Sequence, residues 1–338
     1  MERRTLMLYL SLIANLVFAF IIYYTLFKSA SRQLFLRREF LNSFTIIDSN
    51  TEPVAIDTRI SPNASVAPIK LRFFSNRPSA KPCQSNNIIL LMINSAPKNY
   101  ERRSSIRETW GKPDFIRNAF GNHAWRTIFI IGDSYSKTLN NIVDTEALKY
   151  GDIVLADFGD SFRNLTYKTV FGMEWANLHC NTAKYYYKGD DDVMLNPSTL
   201  FRKLASKESK KLFIGHVMSS CLVNRQEYNR YYVSEKDLPI STYPDYCSGF
   251  SYVISMDVVR SMVTVVPKVR KIPIDDAYVG MLAKEIKLKP RDDPGFRPFG
   301  PIPNELCEYN KVIAVHGIPS SLLKSMAIKS RKALLGCV

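Results

Sequence analysis

Two runs, "NNIILLMIN" at 86–94 and "WRTIFIIGD" at 125–133, constrain the fold of this chain more than any other feature. Both are apolar at consecutive positions and rich in β-branched residues, so neither suits a strand with one wet face. Strands of this kind are covered on both sides, the condition inside a parallel sheet flanked by helices. "DIVLADF" at 152–158 and "AKYYYK" at 183–188 continue the pattern. Between them Tyr167, Phe171, Trp175 and Leu178 fall at steps of four, four and three, one face of a helix over Leu165–Cys180. Strand, helix, strand in this order predicts an α/β fold with a mostly parallel sheet, whose ligands gather at the carboxyl ends of the strands.

The segments before residue 85 read differently. Thr5–Phe27 contains no charged residue and as a helix is long enough for the roughly 30 Å hydrocarbon layer of a bilayer, so a transmembrane helix is expected there. A cleaved signal is the competing reading, but the run exceeds the ~7–15 residues of a signal's core and no small-x-small site follows it. Residues 1–4 then form a short tail, 28–84 a stem without sustained periodicity, and 85–338 one globular body. Orientation draws conflicting signals. Arg3 and Arg4 precede the span while Lys28, Arg32, Arg37 and Arg38 follow it, which by the positive-inside rule leans toward a cytoplasmic body. Against this, Asn63 and Asn164 head glycosylation sequons, and six cysteines suit an oxidising compartment. Cys83, Cys180, Cys221, Cys247, Cys307 and Cys337 fit no zinc spacing, and disulfides and buried free thiols both stay open for them.

The net charge of +15, from 46 Lys and Arg against 31 Asp and Glu, favours polyanions, phosphate-bearing ligands or an anionic membrane as partners. Against that background "YYYKGDDDVMLNP" ends a strand with Asp190, Asp191 and Asp192 side by side. Adjacent carboxylates repel, so solvent, basic side chains or a cation must offset them, and a divalent metal offsets most. Oxygen ligands select Mg²⁺, Mn²⁺ or Ca²⁺. An EF-hand loop is excluded, because Met194 occupies its third ligand position counted from Asp190. Mg²⁺ and Mn²⁺ are commonly held by one or two carboxylates while substrate phosphates complete the shell, which reconciles an acidic site with a basic chain. A solvated acidic turn is the bland alternative.

Other residues carry two readings each. Asp275 and Asp276 before "AYVG" suit a helix cap or acid–base chemistry. Arg103 and Arg107, four apart on a helix after the first strand, suit contact with an anion or a solvated face; Lys168 has the same pair of readings. His316 follows "KVIAV" at a strand end, as a metal ligand or a structural imidazole, with His216 in "FIGHV" the second candidate. Tyr246 and Gly249 lie in "YPDYCSGFSYVIS", as a sugar-stacking platform or as core.

The blocks "ERRSSIRETWG", "YGDIVLADFGDSFRNLTYKT", "YYYKGDDDVMLNP", "YPDYCSGFSYVIS" and "IPIDDAYVG" occur in one order. With them the chain resembles the β-1,3-galactosyltransferases, glycosyltransferase family 31, from about Ile88 to Val279 and more loosely to His316. The resemblance implies a type II Golgi membrane protein whose luminal domain has the GT-A fold, takes a UDP-sugar and Mn²⁺ (or Mg²⁺), and inverts the anomeric carbon. It implies Asp192 as direct metal ligand with Asp190 beside it, Asp190 and Asp191 near ribose and sugar, and Asp276 as general base. It also implies donor or acceptor contact for Asp275 and structural or nucleotide contact for Arg103 and Arg107, and it adds His316 as a late metal ligand. The implied partners are the UDP-sugar, a glycan acceptor on glycoprotein or glycolipid, and a membrane at Thr5–Phe27, with no nucleic acid. Galactose, N-acetylgalactosamine and N-acetylglucosamine are all used within the family on nearly these motifs. Gly189 stands where the family usually has Thr or Ala, Ser251 where it has Gly, Asp275 where it has Glu and Ala277 where it has Val; none of these removes a reacting group. A catalytically silent, glycan-binding relative and a metal-dependent phosphohydrolase are the competing functions, and the second leaves four of the five blocks unexplained.

Overall fold

The computed structural model describes residues 77–84, 87–112, 115, 124–205, 209–300 and 302–337. The expected tail, transmembrane span, most of the stem and Asn63 lie outside them. Among the described residues no helix is long and apolar enough to cross a membrane.

The runs that open the sequence argument form β1 (Asn87–Asn94), β2 (Ala124–Asp133), β3 (Ile153–Gly159) and β4 (Tyr185–Asp190). All four are mutually parallel, in the order β3-β2-β1-β4. The sheet continues through β7 (Tyr246–Ser255), β6 (Phe213–Met218) and β8 (Arg291–Asp292), with β7 antiparallel to both of its neighbours. A mixed, mostly parallel seven-stranded sheet results.

Burial explains the continuous apolar runs. On β1, Ile89, Leu91 and Ile93 enter one core cluster with Phe129, Ile131 and Tyr187, while Leu90 and Met92, equally buried, point to the other face. Helices flank the sheet: α1 (Tyr100–Glu108), α2 (Lys137–Tyr150), α3 (Leu165–His179), α4 (Pro197–Ala205), α5 (Met256–Val265), α6 (Asp275–Glu285) and α7 (Ser320–Gly336). The helix expected over 165–180 is α3, but its burial is wider than one stripe. Phe171, Trp175, Val170, Met173 and Ala176 are all buried, because sheet and helices α5 and α6 enclose it, and Leu178 at its end is 60 % exposed.

Two departures from the family pattern account for one another at the β4–β7 pairing. Gly189 lies opposite Ser251. A Cβ on Gly189 would stand 2.6 Å from the Tyr187 ring, and Ser251 Oγ lies 3.0 Å from the Tyr187 hydroxyl as its donor. The missing side chain makes room for a ring whose polar tip the extra hydroxyl satisfies.

The body begins earlier than the expected boundary at 84. Ala80 donates its amide to the Ile153 carbonyl at 2.9 Å, Arg77 pairs with Asp144 at 2.8 Å, and Cys83 is bonded to Cys180. That disulfide closes a loop of 97 residues, a restriction of the unfolded chain worth about 4–5 kcal/mol in the chain-entropy account. Cys307–Cys337 fastens the end of α7, while Cys221 and Cys247 are buried thiols.

Candidate active site

β4 ends on Asp190, and Asp191 and Asp192 occupy the turn beyond its carboxyl end. Beyond them β5 (Met194–Leu195) pairs antiparallel with β10 (Ala314–Val315), which lies parallel to β9 (Phe296–Arg297). This small sheet joins residues more than a hundred positions apart. The Ile318 amide donates to the Asp192 carbonyl at 2.7 Å, and His316 Nε2 stands 3.6 Å from Asp192 Oδ1.

Asp190, Asp192 and His316 each offer one ligand atom, and these atoms lie within 4.8 Å of one another. Asp192 Oδ1 is shielded from solvent and has no hydrogen-bond partner among the described residues. An orphaned carboxylate oxygen costs free energy unless something fills it. Two carboxylates and an imidazole form a donor set that fits Mn²⁺, and Mg²⁺ less closely. His316 therefore belongs to the cluster. His216 does not: it faces Asp292 at 3.9 Å and the Phe299 ring.

The middle aspartate has a different environment. Asp191 accepts from Ser95 Oγ at 2.6 Å, Asn99 Nδ2 at 2.8 Å and Arg102 Nη1 at 2.9 Å, and is buried. It anchors the triplet to the segment entering α1. Arg102 Nη1 also approaches Asp192 at 3.6 Å, and its side chain is 37 % exposed.

Arg103, expected at the nucleotide, is fully buried. Its five N–H groups go to Glu146 twice, Ser95 Oγ, and the carbonyls of Ala96 and Pro97. No donor remains for a phosphate. Arg107 is likewise engaged, gripping Asp152 with two bonds and Glu146 with a third, with its guanidinium 4.0 Å over Tyr150. Lys168 donates to the Ser95 carbonyl at 2.8 Å and to Asp160 at 2.7 Å, tying the ends of β1 and β3 together. Arg103 and Lys168 support the carboxyl edge from beneath, while Arg107 is held toward the amino end, at the residue that precedes β3.

The second acidic pair opens α6. Neither aspartate is the N-cap, a position held by Ile274, so the cap reading of Asp275 is corrected. Asp275 is turned inward, accepts from Thr169 Oγ1 at 2.8 Å and lies 3.6 Å from Lys188 Nζ. Asp276 is half-buried, its oxygens accepting one each from the amides of Gly249 at 2.9 Å and Ala277 at 2.8 Å. Burial, reinforced by the Asp275 charge, pushes its carboxyl up to about 7. A Cβ on Gly249 would stand 3.1 Å from Asp276 Cβ, so Gly249 seats this carboxylate. Tyr246 offers no open face for a sugar. It is 2 % exposed, because Gly280 brings α6 close against it.

Asn164, read as a glycan acceptor, donates Nδ2 to the Gly159 carbonyl at 2.8 Å, and Thr166 of the same sequon is buried against the Ile272 carbonyl. In the folded chain both side chains are engaged.

Sequence reasoning missed Lys188, Arg102 and the pair Phe162–Tyr231. Lys188 is 2 % exposed and donates to Asp190 Oδ1 at 2.8 Å and to the Gly249 carbonyl. Burial favours its neutral form, but Asp190 and Asp275 outweigh that and its pKa is raised. Reciprocally, burial lifts Asp190 to about 6 with Lys188 opposing, although a third of its side chain stays open. A signal existed: residues two apart on a strand share a face, which places Lys188 beneath Asp190. Nothing local distinguishes Arg102 from Arg103. Tyr231 meets Phe162 edge-on at 5.4 Å, with Arg230 4.0 Å over the Phe162 ring. Burial raises the Tyr231 phenol, with Arg230 opposing and the Asp276 and Asp275 charges adding to it.

Comparison with known proteins yields a family model described as Galactosyltransferase, matching residues 101–294. Human beta-1,3-galactosyltransferase 1 is 31 % identical over 277 residues, 80 % of this chain and 82 % of that one. Human lactosylceramide 1,3-N-acetyl-beta-D-glucosaminyltransferase is 34 % identical over 243 residues, 70 % of this chain and 64 % of that one. A solved structure of a glycosyltransferase involved in the glycosylation of the major capsid of PBCV-1 covers 71 % of this chain and 98 % of its own, at TM-score 0.38 and 10 % identity.

Proposed function

The chain belongs to the galactosyltransferase family, and on that premise we propose that it is an inverting hexosyltransferase. It moves galactose or an N-acetylhexosamine from a UDP-sugar to a hydroxyl of a glycan acceptor, in β-1,3 linkage, on glycoprotein or glycolipid. The observation that carries this reading is an open oxygen, oxygen, nitrogen donor set at the end of β4, facing a second element whose carboxylate is seated by two amides and tuned toward neutral pH.

Asp190, Asp192 and His316 are the residues that would hold Mn²⁺ or Mg²⁺, which when bound offsets the charge gathering on the departing UDP. Arg102 is the cation beside them with exposed surface, and it serves the diphosphate. Asp276, once ionised, accepts the proton of the acceptor hydroxyl as that oxygen attacks the anomeric carbon from the face opposite UDP. The Gly249 and Ala277 amides hold the Asp276 oxygens in place during this transfer. One carboxylate suffices for inversion, and the chain needs no covalent nucleophile. Phe162 and Tyr231 present aromatic surface to the acceptor sugar.

The setting proposed is a Golgi membrane, with Thr5–Phe27 as signal-anchor and residues 85–338 in the lumen. The disulfides Cys83–Cys180 and Cys307–Cys337 support an oxidising compartment. The test is a UDP-release assay on the full chain, made in insect cells and solubilised in detergent, across UDP-sugars and simple glycosides with Mn²⁺. Acceptor-stimulated turnover with one donor is expected, abolished by chelator. UDP-sugar hydrolysis at the same rate without any acceptor would instead favour a phosphohydrolase.

A further inference from the structure

Lys188 is a cation in the interior, 2 % exposed, on a strand otherwise built of buried tyrosines. Burying an ammonium costs several kcal/mol unless partners offset it, so its retention here calls for a role. Its partners come from three elements. Asp190 Oδ1 at 2.8 Å closes β4, the Gly249 carbonyl belongs to β7, and Asp275 Oδ2 at 3.6 Å opens α6.

Each partner is one step from a group that meets substrate. Asp190 is a member of the metal-ligating set. Gly249 accepts from Lys188 through its carbonyl while its own amide holds Asp276 Oδ2. Asp275 directly precedes Asp276 and is fixed independently by Thr169. A cation that merely filled the interior would be satisfied by Asp275, yet the 2.8 Å bond goes to Asp190, the carboxylate with a third of its side chain open to the cleft.

We propose that Lys188 is a positioning residue that locks the donor half of the cleft, at Asp190, to the half carrying Asp276, so that both are held at one separation. The inference rests on the transferase reading above. Lys188 touches no substrate; it acts through Asp190 on one side and through Gly249 on the other. Losing the charge frees Asp190 to swing away from its place beside Asp192 and His316, and removes the anchor on the carbonyl side of Gly249, the residue whose amide holds Asp276.

The experiment compares the full-length parent in detergent with Lys188→Met, which keeps an unbranched chain one atom shorter and without its charge. Calorimetry measures the Mn²⁺ concentration that half-saturates UDP binding, and kinetics give kcat and acceptor KM. The inference expects a Mn²⁺ requirement raised about 10–100-fold and kcat lowered by a similar factor, with acceptor KM nearly unchanged, the scale seen when groups behind metal ligands are removed. A lower Tm with parental Mn²⁺ requirement and kcat overturns it, because that is the result of a structural cation alone. A parent without Mn²⁺-dependent UDP binding overturns the transferase reading and this inference with it, whereas a binding parent and an unaffected variant overturn only the inference. If Lys188→Met does not fold, the double variant with Asp275→Asn removes the interior charge imbalance and is judged by the same two readouts.

Discussion

The two ends of the sheet carry the same kinds of side chain and use them in opposite ways. At the amino end, Arg107 closes on Asp152 and Glu146 with short bonds beneath Tyr150. A cavity of about 890 Å³ opens beside it, lined among others by Arg107, Lys112, Trp125, Arg126, Asp152 and Lys324. At the carboxyl end, carboxylates outnumber the cations that reach them, and Asp192 Oδ1 has no partner among the described residues. The cavity lies at the end where Arg107, Glu146 and Asp152 satisfy one another; the carboxylates able to hold a metal lie at the other. An unfilled polar atom alone does not mark a site, since Arg126 Nε beside the cavity also lacks a partner among the described residues; an unfilled carboxylate oxygen beside two further ligand atoms does.

The sharpest break between the two ends is catalytic. Asp276→Asn should lower kcat by about 10²–10⁴ while UDP binding persists, the range expected on losing a general base, and Asp192→Asn or chelation should remove Mn²⁺-dependent UDP binding itself. Calorimetry beside the UDP-release assay separates the two. At the amino end the effect should fall on stability instead. Arg107→Met leaves Asp152 without its bonded cation and Glu146 with Arg103 alone, and should cost about 3 kcal/mol by urea denaturation, with UDP-sugar KM unchanged.

A pH profile sharpens the comparison further. Burial and Asp275 push the Asp276 carboxyl from 3.8 up to about 7, and only its ionised form takes a proton, so kcat/KM should rise with pH and level off above about 7. The residual activity of Asp276→Asn should lack that limb. Stability has the opposite sign: the folded chain holds this proton more tightly than the unfolded chain, so the contribution is full below about 4 and is lost as pH climbs through about 7. Asp276→Asn should therefore have a higher Tm than the parent at pH 8. The smallest effect is expected at the cavity wall, where Lys324 and Glu108 pair at 3.0 Å with both side chains more than half exposed. Lys324→Ala should change stability by less than about 1 kcal/mol and leave transfer untouched. A large loss of transfer there would give the amino end a function and dissolve the contrast.

Reading the sequence located the parallel strands because burial on both faces leaves a trace in consecutive residues, and it located the triplet because a strand end is a local feature. It singled out Asp276 through a family block and His316 through its place at the end of an apolar strand. It left two readings open for Arg103, Arg107, Lys168 and Tyr246, because the choice depends on Glu146, Asp152, Asp160 and α6, elements remote in sequence. It passed over Lys188, although period-two alternation alone placed that residue on the face of Asp190.

What the sequence determined by itself was the four parallel strands and the helix over 165–180, the placing of three carboxylates at a strand end and the family to which the chain belongs, since periodicity and motif order are written along the chain. Tertiary structure alone decided which charges are satisfied. The neighbouring residues Arg102 and Arg103 differ by one helical step, about 100° of rotation, and that rotation sends one to the open aspartates and the other into a closed cage with Glu146. The same holds for the pairing of Cys83 with Cys180 and for the approach of His316 to Asp192. Such contacts join residues tens to more than a hundred positions apart, and they are fixed by how helices pack on the sheet rather than by any local preference of the chain.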